Sequence, residues 1–566
     1  MSIFGSIQLA GNSLRANEIA LQVVGQNISN ANTPGYIREE VILSPAPTQR
    51  KGGLLLGLGV DVLAVVQKID LFLEERLRGA VSDQAGAETL QQTYAQLEGL
   101  IGELSDTDLS TSMNTFFASI AEILNQPESR SVRNLAVLQG DTLAKNIQRL
   151  AMRTQSLRED VNGRIQNMAD DINRLIEEIR VLNIRIAETE GGDVSTSDAV
   201  GLRDQRLQAL ENLAKLIDIR VVEQPSGGVS VFRGGDFLVF EGISREVEVQ
   251  LSTDRGMTVA DIVLSTTDAP LDPTSGQLRG LLDARDAVLG EFLDGLDEFA
   301  KTLAFEFNKL YSGGQGLTGF TELTSLSQVD DITLPLNQAG LRFTPKSGAF
   351  EVMVYNQKTG LTRTTDIFID LDGLGKSDTS LDDLAAALDA IDGIRAEVTP
   401  SRGLTVAVES PEQMFAFAGD TSGVLAALGL NTFFTGYSAR NIAVNPVVLN
   451  DPSKFAASAG GIGADTDVAI ELAAFLDRPL QTANGDSIGV MYSRLTNEVT
   501  QGSAIARSVA EGAQVFEIAL RGQKLATSGV NLDEEAVKMI AYQRAYQASA
   551  RFIAALTELF EILVSL

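Results

Sequence analysis

Three kinds of stretch carry residue types that could do chemistry. The first is "RGGDFLVFEG", residues 233–242, glycine-rich enough to suggest a phosphate cradle. It lacks the strand-GxGxxG-helix setting and the Lys-Ser/Thr of a nucleotide loop, so a tight hairpin turn accounts for its glycines. The second is "DLDGLGKSD", residues 370–378, with three acids and two glycines, the composition of a calcium loop. It lacks the ligand spacing and closing glutamate of an EF-hand and reads as a solvated loop. The third is the adjacent carboxylates Glu534–Glu535 and Asp382–Asp383, which in an enzyme could divide acid and base roles. Both pairs sit where a helix pattern begins, and acids there complement the positive end of the helix dipole.

Composition removes most other chemistries. The chain of 566 residues contains no His, Cys or Trp. Without imidazole or thiol it cannot build His/Cys zinc sites, a Cys nucleophile, a Ser/His/Asp triad or a disulfide. The expectation is no catalytic, cofactor-binding or metal residue, and no enzyme. The formal net charge of -30 argues against a nucleic-acid partner. The N-terminus lacks the basic and apolar regions of a cleaved signal peptide, and the longest apolar runs are short and broken by Asp61 or by Glu558 and Glu561. No membrane insertion is expected.

What remains is helix geometry at the two ends. Ile3, Ile7, Ala10, Leu14, Asn17, Leu21, Val24 and Ile28 are spaced alternately by four and three, the rhythm that keeps an apolar seam on one helix face. Asn17 is the polar exception, of the kind that fixes register. Ala541, Ala545, Ala548, Phe552, Ala555, Leu559, Ile562 and Leu566 repeat the rhythm. Terminal helices fray unless something holds them, so each seam needs a partner: the other seam, the body of the same chain, or neighbouring subunits. After Ile28, "SNANTPGY" is a helix stop, with Pro34-Gly35 suited to the centre of a type II turn.

Between the ends, apolar positions at heptad spacing from Leu143 to Ile186 predict one long helix, with lapses at Thr154 and Arg164. "GGDVSTSD" breaks it, and "AVGLRDQRLQALENLAKLI" predicts an antiparallel return helix. A β-hairpin follows about Pro225-Ser226-Gly227-Gly228, then a helix over 276–311. Residues 318–440 alternate in short runs around one helix, "SLDDLAAALDAI", and read as a β-rich insert. From "NIAVNPVVLNDPSKFAAS" the pattern is helical again.

The N-terminal helix followed by "NISNANTPGY" resembles the N-terminal motif of bacterial flagellar axial proteins, the rod, hook and hook-associated proteins. "SGVNLDEEAVKMIAYQRAYQASARFI" resembles their C-terminal motif. The motif falls on Asn27, Asn30, Asn32, Thr33, Pro34, Gly35 and Tyr36. The resemblance implies a mainly α fold with a β-rich insert. Its terminal helices, residues 1–75 and 516–566, would pair in a coiled-coil-like assembly domain. Residues 76–317 and 441–515 would form a helical bundle with a β-hairpin, and 318–440 an outer inserted α+β domain. It also implies self-association in a helical tube, hook protein and other hook-associated proteins as neighbours, and an export chaperone. Export would run through the flagellar type III apparatus, to an extracellular place in the flagellum. Tyr542, Arg544, Tyr546 and Arg551 would then lie at subunit contacts rather than only at a core and its solvated rim.

Overall fold

The computed structural model describes residues 3–33, 35–51, 54–102, 108–191, 199–374, 378–463 and 465–565. The fold is mainly α with several small sheets. In chain order the helices are α1 (Ile3–Asn30), α2 (Leu71–Ile101), α3 (Leu109–Ala121), α4 (Arg130–Glu190), α5 (Val200–Leu216), α6 (Gly276–Asp283), α7 (Glu291–Tyr311) and α8 (Leu381–Asp389). The short α9 (Val424–Leu428), α10 (Pro446–Asn450) and α11 (Asp467–Ala473) precede α12 (Ile488–Ser528) and α13 (Leu532–Ser565). The chain divides into two compact units, one of Met1–Thr93, Asp160–Arg285 and Ala504–Leu566, the other of Tyr94–Glu159 and Asp286–Ser503.

In the first unit α1 packs along α13, and two antiparallel pairs follow α1: β1 (Glu39–Pro45) with β4 (Val60–Gln67), and β2 (Thr48–Lys51) with β3 (Leu54–Gly57). Sequence patterning does not single out these strands or α2. Helix α2 meets α6 through glycine: a Cβ on Gly280 would lie 2.5 Å from the Gly86 carbonyl oxygen, so only glycine allows this approach. The expected hairpin is present as β5 (Arg220–Glu223) and β6 (Val229–Arg233) and continues into β7 (Asp236–Phe240) and β8 (Ile243–Ser244) as a four-stranded sheet. "RGGDFLVFEG" is therefore the turn and strand of a meander. A further hairpin, β9 (Val247–Asp254) and β10 (Met257–Leu264), completes the β content of this unit.

Helix α4 explains why these strands sit where they do. It is a single helix of 61 residues, as its heptads require. Asparagines ten or eleven residues apart, close to three turns, fall on its strand-facing side. Asn162 accepts from the Ala260 amide at 2.8 Å, Asn173 accepts from Val247 at 2.8 Å, and Asn183 accepts from Val229 at 3.0 Å. The amide groups of all three donate back to strand or loop carbonyls, satisfying backbone that would otherwise be buried unpaired. The lapse at Thr154 is fully buried, while at the second lapse the neighbouring Ile165 takes the core place and Arg164 is exposed.

In the second unit an aromatic cluster forms the core. Phe116 of α3, Phe307 of α7, Phe433 and Phe434 interlock with ring centroids 4.8–5.9 Å apart. Asn308 fixes the last two by accepting from both of their amides at 3.0 Å. The helix expected over 276–311 is not uniform: Ala284–Gly290 winds as a π-helix between α6 and α7. The insert has its own core, built from β11 (Glu322–Thr324), β14 (Ile394–Val398) and β15 (Leu404–Val408) in one sheet. β12 (Gly348–Asn356), β13 (Thr362–Ile369) and β16 (Gln413–Ala418) form the other. α8 packs on β14 and is closed by a capping box in which Ser380 and Asp383 serve each other's backbone amides. Asp383 is thus a capping residue. The return towards helix after residue 441 proceeds through α10 and α11 before α12 begins.

Candidate assembly surface

The surface is built from the polar loop that stops α1 and from the first turn of α13. The loop closes as the turn chemistry requires: the Tyr36 amide donates to the Thr33 carbonyl at 3.2 Å, and Gly35 has φ +82°. A Cβ there would also press on Gln208. Pro34, named with the motif, lies outside the described residues.

Of the motif side chains, Asn27 of α1 and Tyr36 after the turn point inward. Asn27, 1% exposed, donates to the Glu39 carbonyl at 2.9 Å and to Glu535 at 3.1 Å. Its side-chain oxygen accepts from the Tyr36 hydroxyl at 2.8 Å and from the Glu39 amide at 2.9 Å. Glu535 is fully buried and meets the Arg38 guanidinium at 2.7 and 2.9 Å, with Lys538 at 3.4 Å. Arg38 also reaches the more exposed Glu534 at 3.0 Å, and its amide donates to the Ser528 carbonyl. Burial works to raise the Glu535 carboxyl, but the Asn27 amide and Arg38 outweigh it and hold it below the usual carboxylate range. Glu534 and Glu535 therefore differ: the first is a surface acid of the opening turn, the second a buried ion-pair partner. By sequence both are ordinary first-turn acids, because nothing local pairs Asn27 with a residue 508 positions away.

A second titrating group backs the loop. Asp204 of α5 accepts from the Gln67 side chain at 2.5 Å and from the Ile37 backbone. Burial pushes its carboxyl up to about 7; the Ile37 bond opposes this and nearby Glu39 adds to it. Burial raises the Glu39 carboxyl too, and one of its oxygens is buried without a hydrogen bond. Tyr36 is held above its ordinary value, first by burial and then by the charges of Glu39, Asp204 and Glu535.

The buried faces of the helix pair coincide only in part with the sequence seams, Ala10 and Val24 being the seam positions of α1 that are fully covered. On α1 the buried positions are Ser6, Ala10, Ala16, Ala20, Val23, Val24 and Asn27, whereas Ile7, Leu14, Leu21 and Ile28 are half-buried. Asn17 is also half-buried, and its amide donates to the Ser13 carbonyl of its own helix. Ile3 opens α1, but its side chain lies outside the described residues. On α13 the less exposed side runs through Glu535, Tyr542, Tyr546, Ser549, Ile553, Leu556 and Phe560, with the Phe560 ring edge-on to Phe4 at 5.8 Å. Ala541, Ala548, Phe552, Ala555, Leu559 and Ile562 are exposed, and Ala545 is half-buried; Leu566 lies outside the described residues. Asn30 is half-buried and bonds back to Gln26, while Asn32 and Thr33 are exposed. Tyr542 and Tyr546 lie on the half-buried side of α13, and Arg544 and Arg551 are exposed. α13 consequently carries two apolar stripes, one against α1 and one open.

Among the described residues, three carboxylates of the "DLDGLGKSD" loop, Asp370, Asp372 and Asp378, lie close together at the surface, an ordinary arrangement for a solvated acidic loop. No described helix is long and apolar enough to cross a membrane.

Residues 7–36 match the family of flagella basal body rod proteins, and residues 521–566 match the C-terminal family of flagellar basal body rod FlgEFG proteins. These two matched segments contain the two sides of the Asn27–Glu535 contact. Residues 94–323 match the helical domain of flagellar hook-associated protein FlgK. Flagellar hook-associated protein 1 of Bacillus subtilis is 23% identical over 100% of this chain and 98% of its own length. That of Salmonella typhimurium is 26% identical over 99% of each. A solved flagellar hook junction protein, FlgK from Burkholderia pseudomallei, aligns over 80% of this chain and 100% of that one, at 15% identity and a TM-score of 0.49. The chain is thus similar to flagellar hook-associated protein 1 along its whole length.

Proposed function

We propose that the chain is a structural subunit of the bacterial flagellum that polymerises at the distal end of the hook and forms the junction with the filament. The observation that carries this reading is the end-to-end match to hook-associated protein 1, over 98–99% of the relatives' own lengths. The terminal pair supports it physically. The Asn27–Arg38–Glu535 contact fixes α13 against α1, and the open stripe of α13 leaves Phe552, Leu559 and Ile562 at 44%, 55% and 51% exposure. Apolar surface of that kind is what an assembling subunit covers with its neighbours. The terminal seams are then contact surfaces within a helical tube, with hook protein on one side and other hook-associated proteins on the other. A chaperone would shield the open stripe before export through the flagellar type III apparatus.

Immunogold labelling of whole flagella tests the reading. A thin band between hook and filament is expected. Label along the hook or the rod would make the chain another axial subunit and overturn the junction assignment.

A further inference from the structure

Within the first unit, a cleft of about 330 Å³ opens between α2, α5 and the β5–β6 hairpin. Its exposed wall is Leu71 and Phe72, at 56% and 68% exposure. Its buried wall holds Arg78 and Arg206, at 8% and 4% exposure. Arg203, also in the cleft, is answered by Glu190 and Glu223 at 2.6–2.8 Å. Arg206 donates to Asn183 and to the Gly227 carbonyl, yet its Nε is buried without a partner. Arg78 is the more exceptional. Its Nε is buried and unsatisfied, and it has no hydrogen bond or ion pair among the described residues.

The acids that act on Arg78 through space are otherwise engaged or displaced. Glu74 holds Lys524 at 2.7 Å and Glu211 holds Arg521 at 2.9 Å, while Glu75 is exposed. Burial pulls the Arg78 guanidinium down from its ordinary value, and the three glutamates only oppose this. An unpaired buried cation is costly, and a guanidinium fork is shaped for a carboxylate. The isolated subunit therefore carries an unfilled carboxylate position beside an apolar wall.

We infer that this cleft receives the open stripe of α13 from a second copy of this chain, with Glu558 of that copy on Arg78 and its Leu559 and Ile562 against Leu71 and Phe72. The occupant follows from chemical complementarity. Ile562 stands four residues from Glu558 and three from Leu559, so it neighbours both on the helix surface; all three are exposed in their own subunit, and together they present an acid beside aliphatic side chains. This deepens the assembly reading and rests on it.

The test uses the purified full chain at concentrations that drive self-association, with a photo-crosslinking benzoyl-phenylalanine in place of Phe72. Cross-linked dimers should map to residues 555–562 of the second copy. Their yield should fall at least tenfold with Arg78→Met or with Glu558→Gln, and raised salt should lower it. The Arg78→Met monomer should melt no lower than the wild type, because it loses an unpaired buried charge. Cross-links elsewhere, a yield indifferent to both substitutions, or a clearly less stable Arg78→Met monomer would each overturn the inference. Junction labelling in cells is a separate readout, so a failed cross-link with a normal junction band would reject this contact and leave the flagellar assignment standing.

Discussion

Glu535 shows how much one buried carboxylate can organise. It joins Asn27 of the N-terminal helix to Arg38 after the loop, so removing it leaves a guanidinium with only the more exposed Glu534 for company. Glu535→Ala should destabilise the first unit by about 3 kcal/mol, the lower end for breaking a buried pair. The double change Arg38→Met with Glu535→Gln should recover most of the loss, because no charge is then stranded and the Asn27 bond can persist. Urea unfolding of the two variants measures both, and equal losses would show that the ion pair itself is not what matters. Asp204 supplies an independent pH effect. Burial pushes its folded carboxyl up to about 7, so its contribution to stability is complete only below the ordinary aspartate range and is lost progressively as the pH rises from there through about 7. Glu535 has the opposite sign: its lowered carboxyl stabilises above the usual glutamate range and loses that contribution as acid protonates it. Asp204→Asn should therefore raise the urea midpoint more at pH 8 than at pH 5. A midpoint difference independent of pH would contradict the assignment.

At the scale of the element, α13 offers a controlled comparison three residues apart. Leu556 is 7% exposed on the stripe facing α1, and Leu559 is 55% exposed on the open stripe. Leu556→Asp places a carboxylate in an apolar contact and should cost about 3 kcal/mol in the isolated subunit. Leu559→Asp should change monomer stability by no more than about 0.5 kcal/mol, as for other surface positions, but should block incorporation into flagella. Thermal unfolding and filament counts separate the two. A Leu559→Asp chain that melts early but still builds filaments would assign the open stripe to the fold instead of to assembly.

For the whole molecule, the decisive boundary is that of the insert. Its own core runs from Phe320 to Leu430, whereas Phe433 and Phe434 belong with Phe116 and Phe307. The chain enters and leaves side by side, since Asn431 donates to the Ser312 and Gly314 carbonyls at 2.9 Å. Deleting residues 320–430 with a short linker should leave the second unit cooperatively folded. Deleting 318–440 also removes two rings of the aromatic core, and truncating buried phenylalanines costs about 3–5 kcal/mol each. Circular dichroism melts of the two deletions should differ accordingly; equal melting would show that Phe433 and Phe434 add nothing to that core.

The long α4, its return helix, the β5–β6 hairpin and the strands and helix of the insert were legible in the sequence, because each follows from a local period or turn chemistry that neighbouring residues set among themselves. So were both terminal helices, the stop at Asn30 and, through the motifs, the flagellar family. Strands β1–β4 and helix α2 were not singled out, since runs such as "GGLLLGLGVDVLAVV" fit more than one arrangement. The partner of Glu535, the raised carboxyl of Asp204 and the stripe of α13 that meets α1 lie beyond any local rule. Two apolar stripes on one helix are equivalent in periodicity. Only contacts between residues hundreds of positions apart decide which is covered within the subunit and which remains open.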